Sequence, residues 1–166
     1  MKFDVAPLLK QSVGAKHYYF IDEYSDLGDG DLCLIRGEVT LVRIDRGVLV
    51  QGPFMGALKA VCSRCLGMFV YPITFTIQEE FYPTLDPLTG VQSPTLAAED
   101  LVIDDYHIVD LAETVRQHAL LAMSPRPLCT PDCAGLCPTC GQDLNVDPCT
   151  CLPEEQKELM TNGTLT

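Results

Sequence analysis

Eight of the nine cysteines in this 166-residue chain stand in closely spaced pairs, and this feature constrains the fold most. One pair is the CSRC sequence in the middle of the chain, and the other six residues lie in one C-terminal block with CxxxC, CxxC and CxC spacings. The eight are Cys62, Cys65, Cys129, Cys133, Cys137, Cys140, Cys149 and Cys151. Thiols at these spacings are typical ligands of a tetrahedral metal ion. The sequence therefore predicts a protein shaped by one or two bound ions, with these eight residues as ligands.

Four sulfur ligands favour zinc, and iron or an iron–sulfur cluster is the less expected alternative. The spacing leaves open how the pairs combine, since pairing cannot be deduced from sequence. One partition joins the 137/140 pair to the 149/151 pair in one site, and the 62/65 pair to the 129/133 pair in a second. A single metal with the remaining thiols unbound is the other arrangement.

Paired thiols also occur in redox proteins and in disulfide frameworks. A redox CxxC opens a helix within a βαβ unit, whereas CSRC here lies between predicted strands. A disulfide framework requires export, and the opening sequence MKFDVAPLLK has charges where a signal peptide needs an apolar stretch. No run of eighteen apolar residues predicts a membrane-spanning helix. We therefore expect a cytoplasmic chain with reduced thiols and no membrane contact.

The charge of the chain is uneven. Residues 1–72 contain eight basic and eight acidic residues, whereas residues 73–166 contain three and fifteen. Six acids fall within 99–113, a stretch without Lys or Arg: Glu99, Asp100, Asp104, Asp105, Asp110 and Glu113. A negative field repels phosphate backbones, so direct RNA binding is disfavoured and a basic protein partner is the better match. The alternative is that the acids only keep the protein soluble.

Alternating apolar residues predict an antiparallel β-meander at the centre of the chain. Strands are expected at 32–44, 48–61 and 69–81, with CSRC at the last turn. Gly52-Pro53 suggests a bulge or an edge position in the second of them. Asp110, with Glu113 three residues later, predicts the capped start of a helix.

The predicted fold class is α+β and mostly β. It consists of an antiparallel meander or partly open barrel, one main helix at 110–123 and a C-terminal cysteine-rich zinc module. The β-rich core is expected at 1–128 and the metal-binding module, packed on that core, at 129–152. A short helix and a frayed tail are expected at 153–166.

No catalytic motif accompanies the cysteines. None of the three histidines has a nucleophile at a recognised spacing, and no phosphate-binding glycine loop is present. We therefore predict that the chain is not an enzyme. If the two-site partition holds, Lys59, Arg64 and Arg126 gather around the first cysteine pair as a small basic spot, for which a solvated surface is the simplest interpretation.

Three segments together closely resemble the YceD family of large ribosomal RNA subunit accumulation proteins. They are GVLVQGPFMGALKAVCSRCLGMFVYPITFTIQEEF, DLAETVRQHALLAMSPRPLC and CAGLCPTCGQDLNVDPCTC, and the opening DVAPLLKQSVGAKHYYF also fits. The resemblance extends from about residue 2 to residue 152. It implies a cytoplasmic, non-enzymatic factor that large-subunit ribosomal RNA needs in order to accumulate.

Combined with the charge pattern, the resemblance suggests binding to ribosomal assembly intermediates, through a basic protein that docks on the acidic 99–113 stretch. Two other functions remain as alternatives: a thiol redox or metal-sensing protein, and a zinc-ribbon adaptor in transcription.

Overall fold

The computed structural model describes residues 1–27, 32–86, 89–92 and 101–151. Most of the regular structure is β: β1 (Lys2–Asp4), β2 (Lys16–Asp26), β3 (Leu32–Arg43), β4 (Val48–Val61), β5 (Met68–Pro83), β6 (Leu101–Ile103) and β7 (Ile108–Asp110), with helices α1 (Ala6–Leu9) and α2 (Ala112–Ala122). A five-stranded sheet has the order β2-β3-β4-β5-β6, and β1 pairs with β7 in a second sheet. Both sheets are open, so the mostly β, α+β class is confirmed and no closed barrel forms in the described residues.

The long strands form the predicted meander because their side chains alternate between core and solvent. β2 pairs antiparallel with β3, and β3 with β4. In β5, Ile73, Ile77 and Phe81 share one parity and are buried, which turns one face of the strand to the core. The short β6 departs from a meander, since it runs parallel to β5.

Gly52-Pro53 produces neither a bulge nor an edge strand. Gly37 lies opposite Phe54 and Thr40 lies opposite Gln51, so the register is the same on both sides of the dipeptide. β4 also lies inside the sheet, between β3 and β5. A Cβ atom at position 52 would overlap the carbonyl oxygen of Glu38. Gly52 is therefore required because the two backbones approach closely there.

The main helix is shorter than predicted and begins differently. Asp110 acts at its start, where Oδ1 accepts the Ala112 N–H at 3.0 Å. Glu113 does not complete a capping box, because its carboxylate accepts from Arg116 at 2.6 Å. The buried side of the helix includes Val115 and Ala119. No helix in the described part of the chain is long and apolar enough to cross a membrane.

The chain divides into two compact units. The first, here the sheet unit, comprises Met1–Ala57 and Pro72–Ala122. The second, here the cysteine unit, comprises Leu58–Tyr71 and Met123–Thr166, described as far as residue 151. The division differs from the predicted boundary at 128, because the CSRC turn and its flanking strand ends group with the C-terminal cysteines. The helix and tail predicted at 153–166 lie outside the described residues.

We predict that Gly52→Ala lowers the free energy of unfolding of the sheet unit by about 2–4 kcal/mol, because the new methyl group must displace the backbone of β3. Urea unfolding followed by far-ultraviolet circular dichroism measures the change. The matched control is Gln78→Ala on an exposed position of β5. Equal midpoints for the two variants would show that the close approach imposes no constraint.

Candidate metal centres

The eight paired cysteines converge in the cysteine unit as two groups of four. The first cluster is Cys62, Cys65, Cys129 and Cys133, and the second cluster is Cys137, Cys140, Cys149 and Cys151. Within each cluster all four Sγ atoms lie within 4.8 Å of one another. This grouping is the two-site partition considered from the spacing. All nine cysteines fall in described residues, and none forms a disulfide.

Sulfur–sulfur distances in the first cluster fit a tetrahedral metal site. Cys62 Sγ lies 3.7 Å from Cys133 Sγ, and Cys65 Sγ lies 3.7 Å from Cys129 Sγ. A zinc–sulfur bond of about 2.3 Å gives a tetrahedron with edges of about 3.8 Å. A disulfide requires about 2.05 Å. The thiols therefore stand where four ligands of one ion would stand.

The two CxxC turns have the same backbone structure. In the first, the Leu66 N–H donates to the Cys62 carbonyl at 3.0 Å, and in the second the Gly141 N–H donates to the Cys137 carbonyl at 2.9 Å. Leu66 and Gly141 follow the second cysteine of their pair, with φ of 60° and 75°. Gly141 adopts this left-handed conformation at no steric cost, because it has no side chain. Leu66 occupies the same conformation with a side chain, which disfavours it by roughly 1–2 kcal/mol.

Backbone N–H groups point at the first sulfur of each CxxC turn. The Arg64 N–H donates to Cys62 Sγ at 3.5 Å, and the Thr139 N–H donates to Cys137 Sγ at 3.4 Å. These turns lower the pKa of both thiols to about 6, and in each case the largest effect comes from the backbone N–H of the second cysteine of the pair. Each turn therefore stabilises one thiolate, the form that binds metal.

Other thiols of the clusters hold their protons more tightly. The Gly67 N–H favours the Cys65 thiolate, but burial and the neighbouring thiols outweigh it and raise the pKa of Cys65 to about 12. Burial likewise raises the pKa of Cys129. The adjacent Cys140 thiol raises the pKa of Cys151 to about 11. Metal binding must therefore displace the protons of these three thiols.

The two clusters differ in exposure. Cys62 and Cys133 of the first cluster are 0% and 2% exposed, and the other two members are partly covered. In the second cluster Cys140 and Cys151 are exposed. An ion bound by the second cluster would therefore be more accessible to water and chelators.

Asn145 is a structural residue of this region that the sequence analysis missed. Its Oδ1 accepts the Ala134 N–H at 2.7 Å, and its Nδ2 lies 3.5 Å from Cys133 Sγ. Asn145 stands in the spacer between two cysteine pairs of the second cluster, yet it contacts a ligand of the first. A side-chain amide in a short loop between ligands was the only sequence signal for this role.

The three histidines, His17, His107 and His118, belong to the other compact unit, the sheet unit. His118 Nδ1 stands 3.0 Å from the Thr114 carbonyl, and Nε2 stands 3.4 Å from Glu79. The histidine therefore links α2 to β5. The expectation that the chain is not an enzyme stays a prediction.

A family model described as large ribosomal RNA subunit accumulation protein YceD matches residues 50–161, a range that contains both clusters. The chain belongs to the YceD family. This membership connects it with large-subunit ribosomal RNA, as the sequence resemblance implied.

Curated relatives of this YceD-family chain include uncharacterized proteins from Mycobacterium bovis and Mycobacterium tuberculosis. Each is 32% identical over 108 residues, which cover 63% of this chain and 49% of the relative. The chain thus spans about half the length of the curated relatives it matches. No solved structure matches it significantly.

We predict that Gly141→Val weakens metal retention at the second cluster about tenfold, because a β-branched residue is strained at this φ. Competition with a chromophoric chelator measures retention at both clusters. Leu66→Gly is the matched control, since it relieves the same conformation in the first turn and should not weaken retention there. Unchanged retention in Gly141→Val would show that the left-handed residue is dispensable.

Proposed function

We propose that the chain is a non-enzymatic, cytoplasmic factor that supports accumulation of large-subunit ribosomal RNA by binding assembly intermediates. The observation that carries this proposal is the family match over residues 50–161. The two four-thiol clusters give that matched region its framework. Binding, rather than catalysis, is the role we assign to it.

We propose zinc as the ion in both clusters. Four sulfur ligands at tetrahedral spacing suit zinc, which keeps thiolates bound without redox chemistry. Bound zinc would supply a stable cross-link between segments that are distant in sequence. The chain's own residues supply the ligands, and the CxxC backbone supplies the N–H groups that stabilise one thiolate in each cluster.

The acidic 99–113 stretch is our candidate surface for a basic ribosomal protein. Asp104 Oδ1 accepts the N–H groups of Tyr106 and Ile108 at 2.9 and 2.8 Å, and Asp105 Oδ1 accepts the Thr84 hydroxyl at 2.7 Å. Both residues remain exposed to solvent. The surface therefore presents fixed negative charges, which favour an oppositely charged partner.

The C-terminal acids of this stretch are already engaged within the sheet unit. Asp110 lies 3.7 Å from Lys2 Nζ. Hydrogen bonds from Arg116 and Gln117 lower the pKa of Glu113 to about 2. Partner binding is therefore assigned chiefly to residues 99–105, where Asp104 and Asp105 are described and Glu99 and Asp100 lie outside the described residues.

A thiol redox or metal-sensing protein remains the main rival function. The depressed pKa of Cys62 and Cys137 would suit a reactive thiol. Each of these thiols is buried and has three other sulfurs within 4.8 Å, an arrangement that favours metal ligation over exchange with a substrate disulfide. The transcription adaptor is distinguished by where the protein fractionates in a cell lysate.

We predict two zinc ions per chain in protein purified without added metal, and one in Cys137→Ser. The variant should raise amide exchange over 137–151, because few large apolar side chains there replace a metal worth on the order of 10 kcal/mol. Residues 73–81 should stay protected, since β5 belongs there to the sheet unit. Loss of protection in both regions together would show that the cysteine block is integral to the sheet core.

We predict that the triple change Asp100→Asn, Asp104→Asn and Asp105→Asn reduces co-sedimentation with large-subunit assembly intermediates. Asn keeps an oxygen at Oδ1 for the turn's hydrogen bonds, so the substitution removes charge with little change of structure. Binding of naked ribosomal RNA should be unchanged or improved.

The matched control removes three acids elsewhere: Glu38→Gln, Asp45→Asn and Asp147→Asn. If the variant with Asp100, Asp104 and Asp105 changed still co-sediments with assembly intermediates, these acids are only a solvated surface. Failure of the unaltered protein to sediment with the particles, or to restore ribosomal RNA levels in cells that lack it, would refute the proposed function.

A further inference from the structure

We propose that a notch lined by Ser63, Arg64, Arg126 and Leu128 binds the phosphodiester backbone of single-stranded RNA. The notch is a cavity of about 410 Å³ within the cysteine unit. Its lining residues are two arginines, a serine and a leucine, and arginine and serine side chains carry donors suited to a phosphate group. The inference deepens the proposed function and rests on it, because it names the RNA contact of the same factor.

Arg64 is held in place on the wall of the notch by the first cluster. Its backbone N–H donates to Cys62 Sγ at 3.5 Å, and its Nη1 donates to the Cys133 carbonyl at 2.9 Å. Gly135 passes so close to the Arg64 backbone that a Cβ atom there would meet the Arg64 carbonyl oxygen at 3.2 Å. The guanidinium group therefore keeps several donors for a ligand while its position is fixed, which lowers the entropy lost on binding.

Arg126 lines the notch from the second segment of the cysteine unit, which begins at Met123. It stands between Pro125 and Pro127, which restrict the backbone on both sides. The Pro127 carbonyl accepts the Ser63 N–H at 2.8 Å, which joins the two walls of the notch. The guanidinium group of Arg126 has no hydrogen-bond or ion-pair partner among the described residues, so it is available to an acceptor from a bound ligand.

The first cluster also explains why the notch exists. Ser63 and Arg64 lie between the ligands Cys62 and Cys65, and Leu128 directly precedes the ligand Cys129. An ion that joins these pairs brings the two walls together. Two of the three residues of the basic spot expected from the sequence, Arg64 and Arg126, line the notch, and Lys59 does not.

Charge favours RNA binding in this unit rather than in the sheet unit. By sequence the cysteine unit contains four basic and six acidic residues, whereas the sheet unit contains seven and seventeen. Repulsion of a phosphate chain is therefore weaker at the notch than the net charge of −12 suggests. Zinc-bound thiolates add negative charge, so we expect modest affinity that depends on salt and not on base sequence.

The test measures binding of a fluorescent oligouridylate to the zinc-loaded full chain at low salt. Arg126→Gln should raise Kd about tenfold. Arg126→Lys should retain most of the affinity. Arg46→Gln, an exposed arginine of the sheet unit, removes the same charge and should change Kd little. Equal effects of Arg126→Gln and Arg46→Gln would overturn the proposal.

Arg64→Gln and Arg126→Gln combined should reduce the slope of log K against log salt by about 1.4, since each contact to single-stranded RNA contributes about 0.7. Zinc content of the double variant confirms that the first cluster is intact. If zinc is lost with Arg64→Gln, the Arg126 variants alone decide the outcome. An unchanged slope with zinc retained would overturn the proposal.

Inorganic phosphate and a phosphoserine peptide serve as the other probes. Displacement of the oligouridylate by RNA competitors, and not by millimolar phosphate or the peptide, supports an RNA backbone site. Tighter binding of either small probe than of RNA would overturn it. Co-sedimentation with assembly particles is measured on the same proteins. If the unaltered protein binds particles but the arginine changes do not affect RNA binding, only the notch proposal is refuted. If the arginine changes weaken RNA binding but the unaltered protein does not bind particles, only the proposed function is refuted.

Discussion

The convergence of cysteine thiols is the interaction on which the cysteine unit depends. The Cys62–Cys133 contact joins residues separated by 71 positions in sequence. Closing such a loop is entropically unfavourable, and the apolar core that could offset this is small. The buried apolar residues described in this unit are Leu58, Ala60 and four of the cysteines themselves. The proposed sulfur–metal bonds would take the place of the hydrophobic burial that stabilises the sheet unit.

The sheet unit is stabilised by burial of alternating apolar side chains. Its structure could therefore be predicted from sequence more fully than that of the cysteine unit. The parity of Ile73, Ile77 and Phe81 predicts which face of β5 is buried, because side chains of a strand alternate strictly. Strand ends were predicted within a few residues for the same reason. The pairing of β1 with β7 joins residues about a hundred positions apart, and nothing local in either three-residue strand specifies its partner.

The two thiol clusters show the same division: some of their features follow from the local sequence and others only from the tertiary structure. The CxxC spacing predicts each turn, since a pair of ligands on one turn is a local geometry. Which pairs combine is a property of the tertiary structure, and so is the position of the boundary between units. Leu66 could not have been predicted, because a non-glycine residue at φ 60° contradicts local preference and persists only where surrounding bonds fix it. Asn145 was missed for the opposite reason: an amide in a polar loop has many uses, and only its distance to Cys133 reveals this one.

The two proposed contacts, with a basic protein and with RNA, would conflict on one surface. A field strong enough to attract a basic protein also repels RNA, and exposed charges act over about 10 Å at moderate salt. Most of the acids lie in the sheet unit, and the two arginines of the notch lie in the cysteine unit. The proposed metal-linked framework would need neither a large apolar core nor many charged groups for its stability. A factor proposed to contact both ribosomal protein and ribosomal RNA can then place each contact on the unit whose chemistry suits it.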